Sequence, residues 1–363
     1  MLTLKNVILV KLVTEFINDS NTREIIDLTE DQIWKKFIRK RTSASDIPLI
    51  LQENIIAFIK PIQTEVSYWM DDHEEMLPLD KKLSLKFCFN ADGTVDRVKT
   101  ADLLIDSKLL DAQTRFVLAC QYWSGWDVLK LFYTLHKSAR VQILDKYSTP
   151  NEYFEEYEEN VEHWIDYYRH MRIIKSKSRG LCYDCFNWTN VSLQSRLLDD
   201  LSEEKRQSIL DDAFENTVNM QLGGFCLSRM SVEHREQLLT FFPLKVLWIY
   251  LFWPYHHFFM DAVNKVWDRL PEKHFLCLLH IIICQKIVAF WKDFDYVNLL
   301  REFWYKSPDR LKHRVEGSDI FEILMEILKN SFHPKYVPEN FYLHDACEIE
   351  NACFCAEIIV YYI

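Results

Sequence analysis

Glycine is scarce in this chain: 6 occur in 363 residues, against about 7% in ordinary proteins. Tight hairpins and phosphate-cradling loops depend on the positive φ that glycine supplies, so hairpin-rich β architectures and nucleotide-binding loops are disfavoured. Catalytic signatures are missing too. The chain has no Gly-x-Ser-x-Gly, no P-loop, no dinucleotide fingerprint and no His-Glu-x-x-His pair,. Nor is there a surplus of positive charge: 43 Lys and Arg against 54 Asp and Glu leave a net charge of −11. Such a field repels phosphate, which argues against nucleic acid and anionic membrane as partners. The most apolar stretch, Phe275 to Trp291, is interrupted by His280, Gln285 and Lys286 and falls short of a membrane span.

The opening MLTLKNVILVKLVTEFIN lacks both a clean apolar core and a small-residue cleavage site, and reads as a helix,. The ten cysteines then belong to a reducing compartment, and the expectation is a soluble intracellular, cytoplasmic protein. The glycosylation-type triplets at Asn18, Asn187 and Asn190 are chance on that reading,. The basic cluster Lys35, Lys36, Arg39, Lys40 and Arg41 reads as cations at a helix C-terminus rather than as a nuclear-targeting patch,.

What is present points to helices. Apolar residues make up 49% and aromatics 14%, ample for a packed interior. Helix-start signals recur at Thr29 with Gln32, at Thr149-Pro150 with Glu152, and at Ser202, Ser231 and Ser307,. The clearest single element runs from Asn151 to about Ile174, where Phe154, Tyr157, Val161, Trp164, Tyr168 and Met171 trace one apolar stripe,. Its glutamates crowd the N-terminal half, and Arg169, Arg172 and Lys175 lie at the other end, as the helix dipole favours,. Pro243, Pro254 and Pro271 each open an apolar run in the C-terminal half and predict three closely joined helices,.

Weak internal copies follow: Leu201-SEEKRQSILDDAF, Met230-SVEHREQLLTFF and Leu270-PEKHFLCLLHII, roughly 29 and 40 residues apart. These offsets lie near or within the periods of two-helix repeats, about 33 to 47 residues. None carries a Thr-Pro-Leu-His signature. The segment Asp92-GTVDRVKTADLL through Asp111-AQTRFVLACQYW, with the LPEKHF-type helix pairs, resembles the divergent ankyrin-like helical-repeat proteins of large lineage-specific expansions in some arthropods, over Ile47 to Asn330. That resemblance implies an architecture and a binding role. The expected fold is all-α: stacked antiparallel helix pairs forming a degenerate α-solenoid, ankyrin-like or related, with at most a small extended piece near residues 83–90. Residues 1–110 are read as a helical N-terminal capping region and residues 111–363 as the repeat region. The tail CFCAEIIVYYI lacks the polar outer face of a terminal repeat, so it either tucks into the stack or marks a truncated product,.

Candidate chemistry is thin. Cys182-Tyr-Asp-Cys185 has the spacing of half a zinc site or a redox dithiol, but no second pair at that spacing accompanies it, and Cys347, Cys353, Cys355 and His344 lie far along the chain,. His280 and Cys284, four apart, lack an obvious third ligand; His256 and His257 point apart; His163 and His170 fit a solvated face,. Asn90-Ala-Asp92-Gly93 resembles part of a calcium loop, yet the register puts Cys88 first and Lys99 twelfth, so it reads as a tight turn with Gly93 at positive φ,. Trp248, Trp253 and Trp267 belong mostly to the core; any that stand exposed would be natural anchors for a partner,.

The reading at this level is a non-catalytic scaffold, without metal or cofactor, that binds a protein partner of basic or amphipathic surface through an acidic face including the helix from Asn151. Two alternatives stand beside it: a metal-assisted or thiol-dependent enzyme using Cys182 and Cys185, and a truncated family member without activity. Oligomeric state is not legible.

Overall fold

A computed structural model describes residues 4–123, 125–147, 156–174, 186–188 and 195–329. Among these residues all regular structure is helical, with no strand, and the sole β feature is an isolated antiparallel bridge between Phe89 and Val95. The extended piece expected near residues 83–90 is therefore mostly irregular chain, preceded by a 3-10 turn at Leu79–Ser84. The chain divides into two compact units: Met1–Thr217 with Gln221–Met230, and Val218–Met220 with Ser231–Ile363.

In the first unit the helices are α1 (Leu4–Asn18), α2 (Ser20–Leu28), α3 (Asp31–Ser43), α4 (Leu49–Asp71), α5 (Arg97–Asp106), α6 (Ala112–Tyr122), α7 (Gly125–Thr134), α8 (Lys137–Lys146), α9 (Glu156–Ile174), α10 (Glu203–Asn216) and, but for its first residue, α11 (Met220–Arg229). Helix α4 is the spine: α1 and α3 both pack on it, burying Ile55, Ile59, Ile62, Val66 and Trp69. Buried Arg23 ties α2 to the irregular chain, donating to the carbonyls of Ile17 (3.2 Å), Lys82 (3.3 Å), Leu83 and Leu85 (3.0 Å). One guanidinium thus gathers four carbonyls at the junction of α1, α2 and the irregular chain,. Gly93 stands at φ 89°, where an added Cβ would lie 2.9 Å from Ile62 Cδ1, so the glycine of this turn serves both conformation and close packing,.

The basic cluster sits on α3, where Arg39 pairs with Glu53 (2.6 Å), Lys35 with Asp31, and Arg41 with Asp19 (3.4 Å). Thr29 does not start α3. Glu30 holds that position without a side-chain cap, and Thr29 instead closes α2 by donating to the Ile25 carbonyl at 2.6 Å. Ser202 and Ser231 do cap their helices, accepting from Lys205 N (3.4 Å) and His234 N (3.2 Å),.

The second unit holds α12 (Val232–Phe241), α13 (Pro243–Ile249), α14 (Phe259–Val266), α15 (Glu272–His280) running on as a π-helix (Ile281–Val288), α16 (Tyr296–Lys306), α17 (Asp309–Glu316) and α18 (Ile320–Leu328). Helix α13 packs on α15 and α15 on α17, while α14 packs on α16. Pro243 opens α13 and Pro271 precedes α15 as expected. Pro254 opens no helix; it follows a cis peptide from Trp253, and α14 begins only at Phe259 after a short 3-10 turn. Ser307 likewise closes α16, donating to the Trp304 carbonyl at 2.7 Å, rather than opening α17. Most of the apolar Phe275–Trp291 run is buried in α15 and the π-helix, with Phe290 exposed just beyond them, and no described helix is long and apolar enough to cross a membrane.

Two helices end in the same way. After α3, Ile47 N–H bonds the Thr42 carbonyl (3.2 Å) and Asp46 N–H the Ser43 carbonyl (3.2 Å); after the π-helix, Trp291 N–H bonds the Lys286 carbonyl (3.0 Å) and Phe290 N–H the Ile287 carbonyl (3.1 Å). These are Schellman closures, which want glycine at the left-handed position. Here Asp46 (φ 52°) and Phe290 (φ 58°) occupy it.

Candidate functional site

Helix α9 is fixed on its inner side. Val161, Trp164, Ile165 and Tyr168 are buried where the helix packs on α6, and Trp164 Nε1 donates to the Cys120 carbonyl at 2.9 Å. Asn160, 1% exposed, donates to Gln121 Oε1 (3.0 Å) and the Asn187 carbonyl (3.1 Å) and accepts from Asn187 N (2.9 Å). Glu158 also faces inward, paired with Lys146 (2.6 Å) and accepting from the Tyr147 hydroxyl (3.1 Å). These contacts set the helix's rotation.

The opposite side is then acidic by geometry. Glu159 and Asp166 are exposed and Glu162 is half-buried, at helical spacing that puts all three carboxylates on one strip,. Burial, then Asp166 and Glu159, raise the Glu162 carboxyl above the ordinary range, while Arg169 partly offsets them. The neighbouring helix α7 adds exposed aromatics. Trp126 is 66% and Tyr133 56% exposed, seven residues apart on one face, and the rings of Phe132 and Tyr133 meet Tyr168 of α9 at 4.9 and 5.9 Å.

Two polar clusters lie inside the units. In the first, His73 stacks on Trp69 (3.9 Å between ring centroids) and its Nε2 meets the Tyr122 hydroxyl at 2.8 Å. Arg97 pairs with Asp72 at 2.7 Å. Burial pushes the nearby Glu65 carboxyl up to about 7 against the pull of Arg97. Burial, and then the charge of Arg97, hold His73 well below the usual imidazole value, so it is neutral,.

In the second unit, His256 Nε2 lies 2.7 Å from the Tyr296 hydroxyl and 3.4 Å from Asp293 Oδ2, with Tyr296 donating toward Asp293 at 3.2 Å. Burial and then Lys286 lower His256 well below its ordinary value. Lys286 itself is 2% exposed, its Nζ lying 4.0 Å from the Phe252 ring centroid, 4.2 Å from Trp291 and 5.7 Å from Tyr296. Lys286 shows in the sequence only as an interruption of an apolar run. Its aromatic surroundings come from two segments, Phe252 after α13 and Trp291 with Tyr296 just beyond the π-helix.

The remaining sequence candidates separate. Cys182, Cys185, His344, Cys347, Cys353 and Cys355 lie outside the described residues. His280 Nε2 lies 3.7 Å from Asp319, whose charge, after burial, helps push the Cys284 thiol up to about 12. Among the described residues, no group of three or more His, Cys, Asp or Glu is arranged to hold a metal ion. His256 is buried and His257 exposed; His163 meets the Phe186 ring edge-on at 4.8 Å, whereas His170 is exposed. Trp248 and Trp253 are core residues, and Trp267 stacks on Phe303 at 5.5 Å. No family model, no curated protein and no solved structure matches the chain.

Proposed function

We propose that the chain is a non-catalytic scaffold that binds a protein segment of basic, amphipathic character. The observation that carries this reading is the acidic strip Glu159–Glu162–Asp166 on a helix whose other side is locked. Glu162, crowded by two like charges, gains from any cation that docks,.

The ankyrin-like, stacked-pair arrangement forms part of the same proposal. In its favour, α13 packs on α15, α15 on α17 and α14 on α16, the next-but-one contacts that repeats of paired helices would make. Helix starts from α13 to α15 to α17 are roughly 29 and 37 residues apart.

The test is fluorescence anisotropy with a labelled Lys/Leu amphipathic peptide, titrated with the parent chain and with the triple variant Glu159→Gln, Glu162→Gln, Asp166→Asn. Saturable binding that weakens with salt, and falls about tenfold or more in the variant, is the expected result, equivalent to about 1.4 kcal/mol. Equal binding by parent and variant, or none by the parent, overturns the reading.

A further inference from the structure

Lys286 is an ammonium buried among apolar neighbours on its own π-helix, Ile281, Ile282, Ile283 and Val288, with the polar pair His256 and Asp293 buried nearby. Taking a charge out of water is costly unless something replaces the hydration. Three ring faces lie close to the charge, with Phe252 at 4.0 Å, Trp291 at 4.2 Å and Tyr296 at 5.7 Å from Nζ to centroid. The distances are to the charged nitrogen, not to the alkyl stem, and all lie within the range of cation–π attraction.

Each wall is held by a separate device. Trp291 is folded back over Lys286 by the Schellman closure, its own N–H bonding the Lys286 carbonyl at 3.0 Å. That closure needs Phe290 in the left-handed region, a conformation costing a non-glycine residue about 1–2 kcal/mol. Tyr296 is held through its hydroxyl by His256 at 2.7 Å and Asp293 at 3.2 Å. Phe252 comes from the segment after α13 and, like Trp291, is half-exposed, so the box has a side facing water.

We propose that Phe252, Trp291 and Tyr296 form an alkylammonium-binding box whose ligand, in this state, is the chain's own Lys286. The box selects charge: a neutral chain of the same length fills the space without the attraction to the ring faces. It would therefore take a free primary alkylammonium ion once the lysine is withdrawn.

The test keeps the full chain and changes the electronics before the shape. Phe252 is replaced by its mono-, di- and trifluorinated analogues, which drain negative charge from the ring face while adding apolar surface. The melting temperature is expected to fall stepwise, on the order of a degree per fluorine, although greater apolarity alone would raise it; a flat or rising series overturns the proposal. In Lys286→Ala, n-propylammonium should raise the melting temperature saturably and n-propanol should not. Equal rescue by the alcohol also overturns it, and the fluorinated series stands as the test if the alanine variant does not fold.

Discussion

Gly93 shows how one atom's absence sets a local structure. Its φ of 89° belongs to the left-handed side, and a Cβ there would stand 2.9 and 3.0 Å from two Ile62 carbons and 3.3 Å from Val10. Strain and overpacking act together, so Gly93→Ala should cost about 1–3 kcal/mol in denaturant unfolding. An unchanged midpoint would show that the turn relaxes. The need for positive φ was legible from Asn90-Ala-Asp92-Gly93 as a turn. That the missing Cβ leaves room for α1 and α4 was not, because Ile62 and Val10 approach from distant sequence. Arg23 was hidden for a related reason, since the carbonyls of Lys82, Leu83 and Leu85 reach it from a remote segment; Lys286 has Trp291 and Tyr296 close by in sequence, but Phe252 comes from another segment and no spacing marks the cluster.

Among the elements, the most legible is α9, whose stripe of Val161, Trp164 and Tyr168 is buried as the spacing requires. Helix ends were harder to read. Thr29 and Ser307 have capping chemistry, but each serves the helix before it, because a hydroxyl can donate to an i−3 or i−4 carbonyl as readily as accept from the next turn,. Scarce glycine has a cost at such ends. The closure of the π-helix at Phe290 predicts that Phe290→Gly will be more stable than Phe290→Ala by about 1 kcal/mol, the reverse of the usual helix order. Thermal unfolding of the two variants, which lose the same ring, decides it; an alanine variant as stable as the glycine one would show that the left-handed turn is dispensable. The same comparison at Asp46 should give a smaller difference relative to the parent, since aspartate tolerates that region better.

At the scale of the whole molecule, the helical class was legible from glycine scarcity and apolar periodicity, while the division into two units was not, since no proline- or glycine-rich linker marks it. The first unit carries a pH signature. Glu65 is pushed up to about 7 from 4.5 by burial, so between those values the folded state binds more protons than the unfolded state. Its contribution to stability is full below about 4.5 and is lost as pH rises through about 7,. His73 and His256, held neutral, tilt the curve the other way. Glu65→Gln cancels only the first effect. Relative to the parent, the melting temperature of this variant should rise from pH 4.5 to 7 and level off above; a pH-independent difference would mean that Glu65 titrates normally.

The interleaved division at Val218–Met230 bears on how the chain is made. Residues of the second unit, Val218–Met220, precede the last segment of the first, Gln221–Met230. During synthesis the first unit is therefore still short of that segment when α10 has emerged, and it is complete only once Met230 clears the ribosome.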